Sequence, residues 1–268
     1  MVFFCFGDSI TSDEVSGIGT LVGTALSASV IQNYAHGNAT ASDWFAGDAR
    51  LTSVNVSLPR DCWFPDNVLS NQILTALRDT APSGEPICRR YTGIGAPLLP
   101  AGLLGTGAAP EPDVIYIAIG SNDGRAPENA FRDDSEEVIA ARYENLTRKG
   151  LASALRWAIE TLQYAYPRAN IFAATPLQSG LELAPPCDWI GNADAFSRAT
   201  LRQKRNAILR VAEACSVPAV DTFARAGVSP RMMLRFGDQI AVHPSDEIKG
   251  RIADFVAGEI RRYGKGDL

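Results

Sequence analysis

The stretch Val2-Phe3-Phe4-Cys5-Phe6-Gly7-Asp8-Ser9 places an unbroken apolar run directly against a glycine, an acid and a hydroxyl. A continuous run of this kind, without polar alternation, reads as a strand buried on both faces, as in a parallel sheet. In open α/β sheets ligands gather at the C-terminal ends of strands. Ser9, delivered to such an end on a glycine turn, is therefore a candidate nucleophile. The competing reading is local: Asp8 and Ser9 can equally cap the helix that follows.

Outward from this stretch, apolar strand-like runs recur at Val30–Ala35, Val114–Ile119, Asn170–Ala174 and Val217–Val220, with helical patterns between several of them. That alternation predicts an α/β fold, a parallel sheet sandwiched by helices. The strongest helical patterns cover Val68–Arg78, a long segment from about Glu136 to Tyr166, Asp194–Ala214 and Asp246–Tyr263. In the long segment Leu151, Leu155, Ala158, Ile159 and Leu162 repeat at helical spacing, and Pro167 closes it. A first helix, roughly Asp13–Ser29, carries Gly17, Gly19 and Gly23. Glycine lowers helix stability, so close packing of this helix on the sheet is the expected compensation. The 268 residues suit a single domain spanning 1–268, with a loop-rich insertion at about 38–112. Within that insertion Leu98, Leu99, Leu103 and Leu104 punctuate a Gly-, Pro- and Ala-rich segment, Gly93–Pro112. Four leucines point to an ordered loop packed on the body or bordering a pocket, with a flexible lid as the alternative.

Composition excludes several classes. With 25 Lys and Arg against 30 Asp and Glu there is no basic field for nucleic acid or an anionic membrane. The five cysteines are scattered and lack C-x-x-C spacing, which argues against a zinc site or a disulfide framework and for buried apolar fillers. No apolar run approaches the ~18 residues of a membrane span, and the first apolar stretch lacks a basic leader and a cleavage site. The expectation is a chain without an export signal. It is either cytoplasmic as made or a module of a larger extracellular or virion assembly.

Only two histidines exist, His36 and His243. His243 precedes Pro244 and Ser245 at the start of the last helical pattern, which fixes its place, although a solvated loop histidine would look the same. In Gly120-Ser121-Asn122-Asp123, at the end of the third strand, Asn122 offers an uncharged amide donor suited to an oxyanion hole, or serves as a turn residue. Gly37, after the second strand, offers a bare backbone N–H, or simply turns the chain.

Taken together, GDS near the N-terminus, the glycine of N-x-x-x-G, G-x-N-D and H-P occur in the order found in the GDSL family, also called SGNH hydrolases, and the chain resembles that family from Val2 to about Tyr263. The resemblance implies a three-layer α/β/α, flavodoxin-like fold with a five-stranded parallel sheet ordered 2-1-3-4-5. It implies a serine ester hydrolase needing no metal or other cofactor. Ser9 would be the nucleophile and His243 the general base. Ser9 N–H, Gly37 N–H and the Asn122 amide would form the oxyanion hole, and Asp8 would be a structural aspartate of the turn.

The family places its acid three residues before the histidine, where this chain has Ile240. The nearest upstream acid is Asp238. Either the two additional residues bulge outward and Asp238 reaches Nδ1 of His243, or a backbone carbonyl orients the ring and leaves a Ser-His dyad; the former is the expectation. His36 has no family role and is assigned to the pocket lining or to a hydrogen bond within its loop. Trp44, Phe45, Trp63, Phe64 and Trp189 could border the site and stack on sugar rings, though packing is the commoner role of loop aromatics. The expected substrate is a small-molecule or glycan ester losing acetyl or another short acyl group. Rivals are a lipid esterase or thioesterase of the same fold, an acyltransferase using the same serine, and a catalytically silent glycan-binding module. Oligomeric state is not readable from the sequence.

Overall fold

A computed structural model describes residues 1–42, 68–90, 102–124, 130–184 and 193–264. In chain order the elements are β1 (Val2–Gly7), α1 (Ile18–Ala25), β2 (Val30–Asn33), α2 (Leu69–Thr80), α3 (Ile87–Arg90), β3 (Val114–Ala118), α4 (Ser135–Ala140), α5 (Leu151–Ala165), β4 (Asn170–Ala174), α6 (Arg198–Ala214), β5 (Ala219–Val220), α7 (Thr222–Arg225), α8 (Pro230–Phe236) and α9 (Asp246–Tyr263), with short 3-10 turns between some of them. The strands form one parallel five-stranded sheet in the order β2-β1-β3-β4-β5. Helices cover both faces, giving three α/β/α layers.

The unbroken apolar run of β1 follows from this layering. Phe4 and Phe6 point into a core shared with Ile115, Ile117 and helices α2, α5 and α6, while Phe3 and Cys5 point into a second core with Val114, Tyr116 and helices α1 and α9. Phe3, Phe4, Cys5 and Phe6 are all fully buried, each large side chain contributing roughly 1.5–3 kcal/mol of burial. The α1 glycines serve close approach: a Cβ on Gly19 would lie 2.6 Å from Cys5 Sγ, and one on Gly23 would lie 2.9 Å from Phe3 and Ile31. Any side chain there would push the helix off the sheet.

Several boundaries differ from the sequence reading. The first helix begins only at Ile18, because Gly17 adopts φ +69° and residues before it form a turn. The segment Glu136–Tyr166 is not one helix. It divides into α4, a 3-10 turn at Tyr143–Asn145 and α5, with Arg148 at φ +54° in the connection. The break is stabilised by Arg156 of α5, whose guanidinium donates to the carbonyls of Val138, Ile139 and Ala141 and so satisfies the exposed end of α4. The helix expected over Asp194–Ala214 starts at Arg198, where the Ser197 hydroxyl caps it by accepting from Thr200 N–H at 3.1 Å. β2 stops at Asn33, whose side chain accepts from Ala35 N–H, and β5 is confined to Ala219–Val220, after Pro218.

Of the leucines in the Gly-rich segment, Leu103 is buried in the core with α2 and Leu104 is 48% exposed; Leu98 and Leu99 lie outside the described residues. Cys5 and Cys215 are buried and Cys88 half-buried, and Cys62 and Cys187 lie outside the described residues. Among the described residues no helix is long and apolar enough to cross a membrane.

Candidate active site

The site forms at the C-terminal edge of β1 and β3, where the two strands end side by side with Gly7 paired to Ala118. Gly7 must be glycine, since a Cβ would fall 2.3 Å from the Ala118 carbonyl oxygen and 2.5 Å from Thr11 Oγ1. The Gln72 side chain of α2 holds this residue from above, accepting from Gly7 N–H and donating to Gly7 C=O, both at 2.9 Å. The chain then turns sharply: Thr11 and Ser12 N–H donate to the Asp8 carbonyl, and the Asp8 carboxylate accepts from Ile10 N–H at 3.1 Å. Burial pushes the Asp8 carboxyl up, against the opposing pull of the Ile10 N–H, Ser121 and His243.

Ser9, at the head of this turn, lies 2.8 Å through Oγ from His243 Nε2. On the other side of the ring, Nδ1–H donates to Asp238 Oδ2 at 2.6 Å. That bond fixes the tautomer and leaves Nε2 as the acceptor facing the serine hydroxyl. Asp238 reaches the histidine across five sequence positions because the loop folds back on itself. Gly237 bridges to Pro244, Asp238 N–H donates to the His243 carbonyl, and Ala241 takes φ +54° at the tip. The carboxylate is further fixed by the N–H groups of Val242 and His243 on Oδ1, at 3.0 and 3.3 Å. Burial raises the Asp238 carboxyl, but the His243 ring and these N–H groups outweigh it and hold the acid below the usual carboxylate range. Such a serine-imidazole-carboxylate chain can move a proton off Oγ as the oxygen attacks an electrophile.

Asn122 and Gly37 lie on two loops that are tied together. Asn122 is buried and donates from Nδ2 to the Ala39 carbonyl at 2.9 Å, while Asp123 accepts from Ala41 N–H at 2.8 Å and Ser42 N–H at 3.0 Å. One amide hydrogen of Asn122 is thus committed to the loop and its second remains for another acceptor. The Gly37 N–H donates to Glu14 Oε2 at 3.2 Å, and the His36 ring stands 3.5 Å from the same carboxylate. His36 also closes a bond within its loop, Nδ1 to the Gly37 carbonyl at 2.9 Å. Among the described residues Ser9 N–H donates to no acceptor. Trp44, Phe45, Trp63, Phe64 and Trp189 lie outside the described residues, so their expected place at the rim has no structural description here.

The comparisons with known proteins agree with this architecture. The GDSL-like Lipase/Acylhydrolase family matches residues 71–249, two-thirds of the sequence. The chain belongs to that family. The match takes in Asn122, Asp238 and His243, and leaves Ser9 and Gly37 upstream of it. No curated protein matches the chain. Among solved structures, Est24, a carbohydrate acetylesterase from Sinorhizobium meliloti, is similar with a TM-score of 0.57 at 16% identity, covering 97% of this chain and 98% of that one. A lipase/acylhydrolase from Enterococcus faecalis has a TM-score of 0.52 at 14% identity over 100% of both chains. A protein from Lactobacillus plantarum has a TM-score of 0.57 at 13% identity over 98% and 97%. At these identities the likeness speaks for the fold, not for a shared substrate.

Four residues at this site escaped the sequence reading. Gln72 and Glu14 drew no reading from the sequence, since neither stands in a motif. Asp123 belonged to the quoted G-S-N-D but had no role. Lys204 carried a signal of its own: it occupies the apolar stripe Leu201, Lys204, Ile208, Val211 of α6, where an unexplained cation is out of place.

Proposed function

We propose that this family member is a serine esterase working through an acyl-enzyme, and that its substrate is a carbohydrate bearing acetyl or other short acyl esters. The observation that carries the catalytic part is the relay Ser9 Oγ to His243 Nε2 at 2.8 Å and His243 Nδ1 to Asp238 at 2.6 Å. In the proposed cycle Ser9 Oγ attacks the ester carbonyl while His243 takes its proton, and the imidazolium is stabilised by Asp238. The carbonyl oxygen, now negative, is received by Ser9 N–H, Gly37 N–H and the second Asn122 amide hydrogen. His243 returns the proton to the departing alcohol as the C–O bond breaks. Water, deprotonated by the same imidazole, then releases the acid and restores Ser9.

A sugar leaving group is supported by what borders the Asn122–Asp123 turn. A cleft of about 250 Å³ there is lined by Asp123, Phe131, Arg132, Asp134, Glu137 and Lys149, a mixture of acceptors, donors and one ring that suits hydroxyls better than an alkyl chain. Leu103, which the sequence left either packed on the body or bordering a pocket, is packed in the core.

The test is hydrolysis of p-nitrophenyl acetate, butyrate and octanoate, and of an acetylated xylo-oligosaccharide, by the wild type and by Ser9→Ala. Turnover by the wild type alone, falling as the acyl chain lengthens and extending to the sugar ester, is the expected result. A preference for octanoate would replace the sugar reading with a lipid one. Equal inertness of the two proteins on every ester would remove the catalytic reading.

A further inference from the structure

The carbonyl of Ser121, the residue immediately before Asn122, accepts a hydrogen bond from Lys204 Nζ at 2.8 Å, and the same nitrogen donates to the Ala195 carbonyl at 2.8 Å. Lys204 is fully buried on α6, with its ammonium 6.0 and 5.8 Å from the ring centres of Phe131 and Phe196. The ionisable groups facing it are Asp123, from the turn after β3, and Asp8, from the turn after β1, both 2% exposed; Asp194 of the 193–196 turn is exposed. Burial pulls the Lys204 amine down to about 8, against the pull of those two carboxylates. A cation held in an apolar core is a standing loss of stability, and methionine or leucine would fill the same helical stripe.

We propose that Lys204 is a positioning residue for the oxyanion hole: by gripping the Ser121 carbonyl from beneath, it fixes the Ser121–Asn122 peptide and hence the direction in which the Asn122 amide points. This rests on reading Asn122 as an oxyanion donor. The geometry gives the lysine little else to hold. Its two named acceptors are the carbonyl before Asn122 and one in the 193–196 turn, and its charge lies between the two carboxylates beneath the site. A donor at an oxyanion hole must be aimed before charge develops, and misplacement by about 1 Å can cost ~10²-fold. Anchoring the peptide that carries the donor is a direct way to meet that demand.

The test is a cycle of Lys204→Met and Asn122→Ala, singly and together, with kcat and KM read on p-nitrophenyl acetate and folding checked by near-UV circular dichroism. Lys204→Met is expected to lower kcat roughly 10- to 100-fold with KM within about twofold, and to lower it no further once Asn122 is alanine. A folded Lys204→Met with wild-type kcat overturns the proposal, as does an equal loss in the presence and absence of Asn122. If Asn122→Ala itself leaves kcat unchanged, the oxyanion reading fails first. Should Lys204→Met not fold, Lys204→Gln enters the same cycle. Should neither fold, Lys204→Arg enters the cycle: a loss of kcat that vanishes in the Asn122→Ala background supports the proposal, and one that persists there undiminished overturns it.

Discussion

The Gly37 N–H donates to the Glu14 carboxylate at 3.2 Å, so the donor assigned to the oxyanion hole is occupied by the protein's own acid. On the proposed mechanism a substrate carbonyl has to displace that carboxylate, whose side chain is 57% exposed. Replacing Glu14 by alanine is therefore expected to raise kcat/KM on p-nitrophenyl acetate about twofold to fivefold, the scale of one solvated charge contact. A fall in kcat/KM would mean that Glu14 assists the reaction and does not compete with it.

Asp238→Asn keeps an oxygen for the Val242 N–H but removes the charge that stabilises the imidazolium. We expect kcat to fall by roughly 10²–10⁴ and the melting temperature to drop at neutral pH, where the ionised acid contributes its stability. On the acid side the two proteins converge. Because the folded Asp238 titrates below its unfolded range, its contribution to stability is complete above about pH 4 and fades as pH falls through the depressed value. Thermal melts between pH 6 and pH 2 should thus be flatter for the asparagine variant; parallel curves would contradict the role of His243 and the backbone N–H groups in holding the acid ionised.

Gln72→Leu preserves bulk and deletes both bonds to Gly7, leaving a buried N–H without its partner. A loss of about 2–4 kcal/mol is expected in urea unfolding, together with a lower kcat, since the turn bearing Ser9 starts at that residue. Gln72→Glu, which keeps the acceptor and removes the donor, should fall between the two. Wild-type kcat in a destabilised Leu variant would separate fold from function here.

Asp123 ties the Ala41 and Ser42 N–H groups to the loop that carries Asn122. Asp123→Ala frees both loops at once, and amide hydrogen exchange should accelerate at residues 39–42 and 120–124 together. Exchange rising at only one of the two segments would show that they are not held as a unit.

The sheet was readable because β1, β3 and β4 are short apolar runs buried on both faces, each followed by a turn. The pairing of Ser9 with His243 could be anticipated because their neighbours are distinctive: Gly7 precedes the Asp8-Ser9 turn, and Pro244 follows His243. The path from Asp238 to His243 was not, since whether a five-residue separation closes a loop depends on the left-handed backbone at Ala241 and on the Gly237–Pro244 bridge. The division of 136–166 escaped for a related reason. Its apolar spacing continues on the α5 side, and only a guanidinium from the next helix turn ends α4. Gln72, Glu14 and Lys204 act across long separations, Gly7 to Gln72 spanning 65 positions, and no local pattern encodes such pairs.

The serine and its base stand 234 residues apart, one at the end of the first strand and the other just ahead of the last helix. During synthesis the hydroxyl is made 234 residues before the imidazole that faces it. A nascent or prematurely terminated chain that stops short of position 243 carries an ordinary alcohol, unable to capture passing acyl groups. On the proposed mechanism, competence for acyl transfer therefore arrives in one late step, when the segment around position 243 closes over position 9.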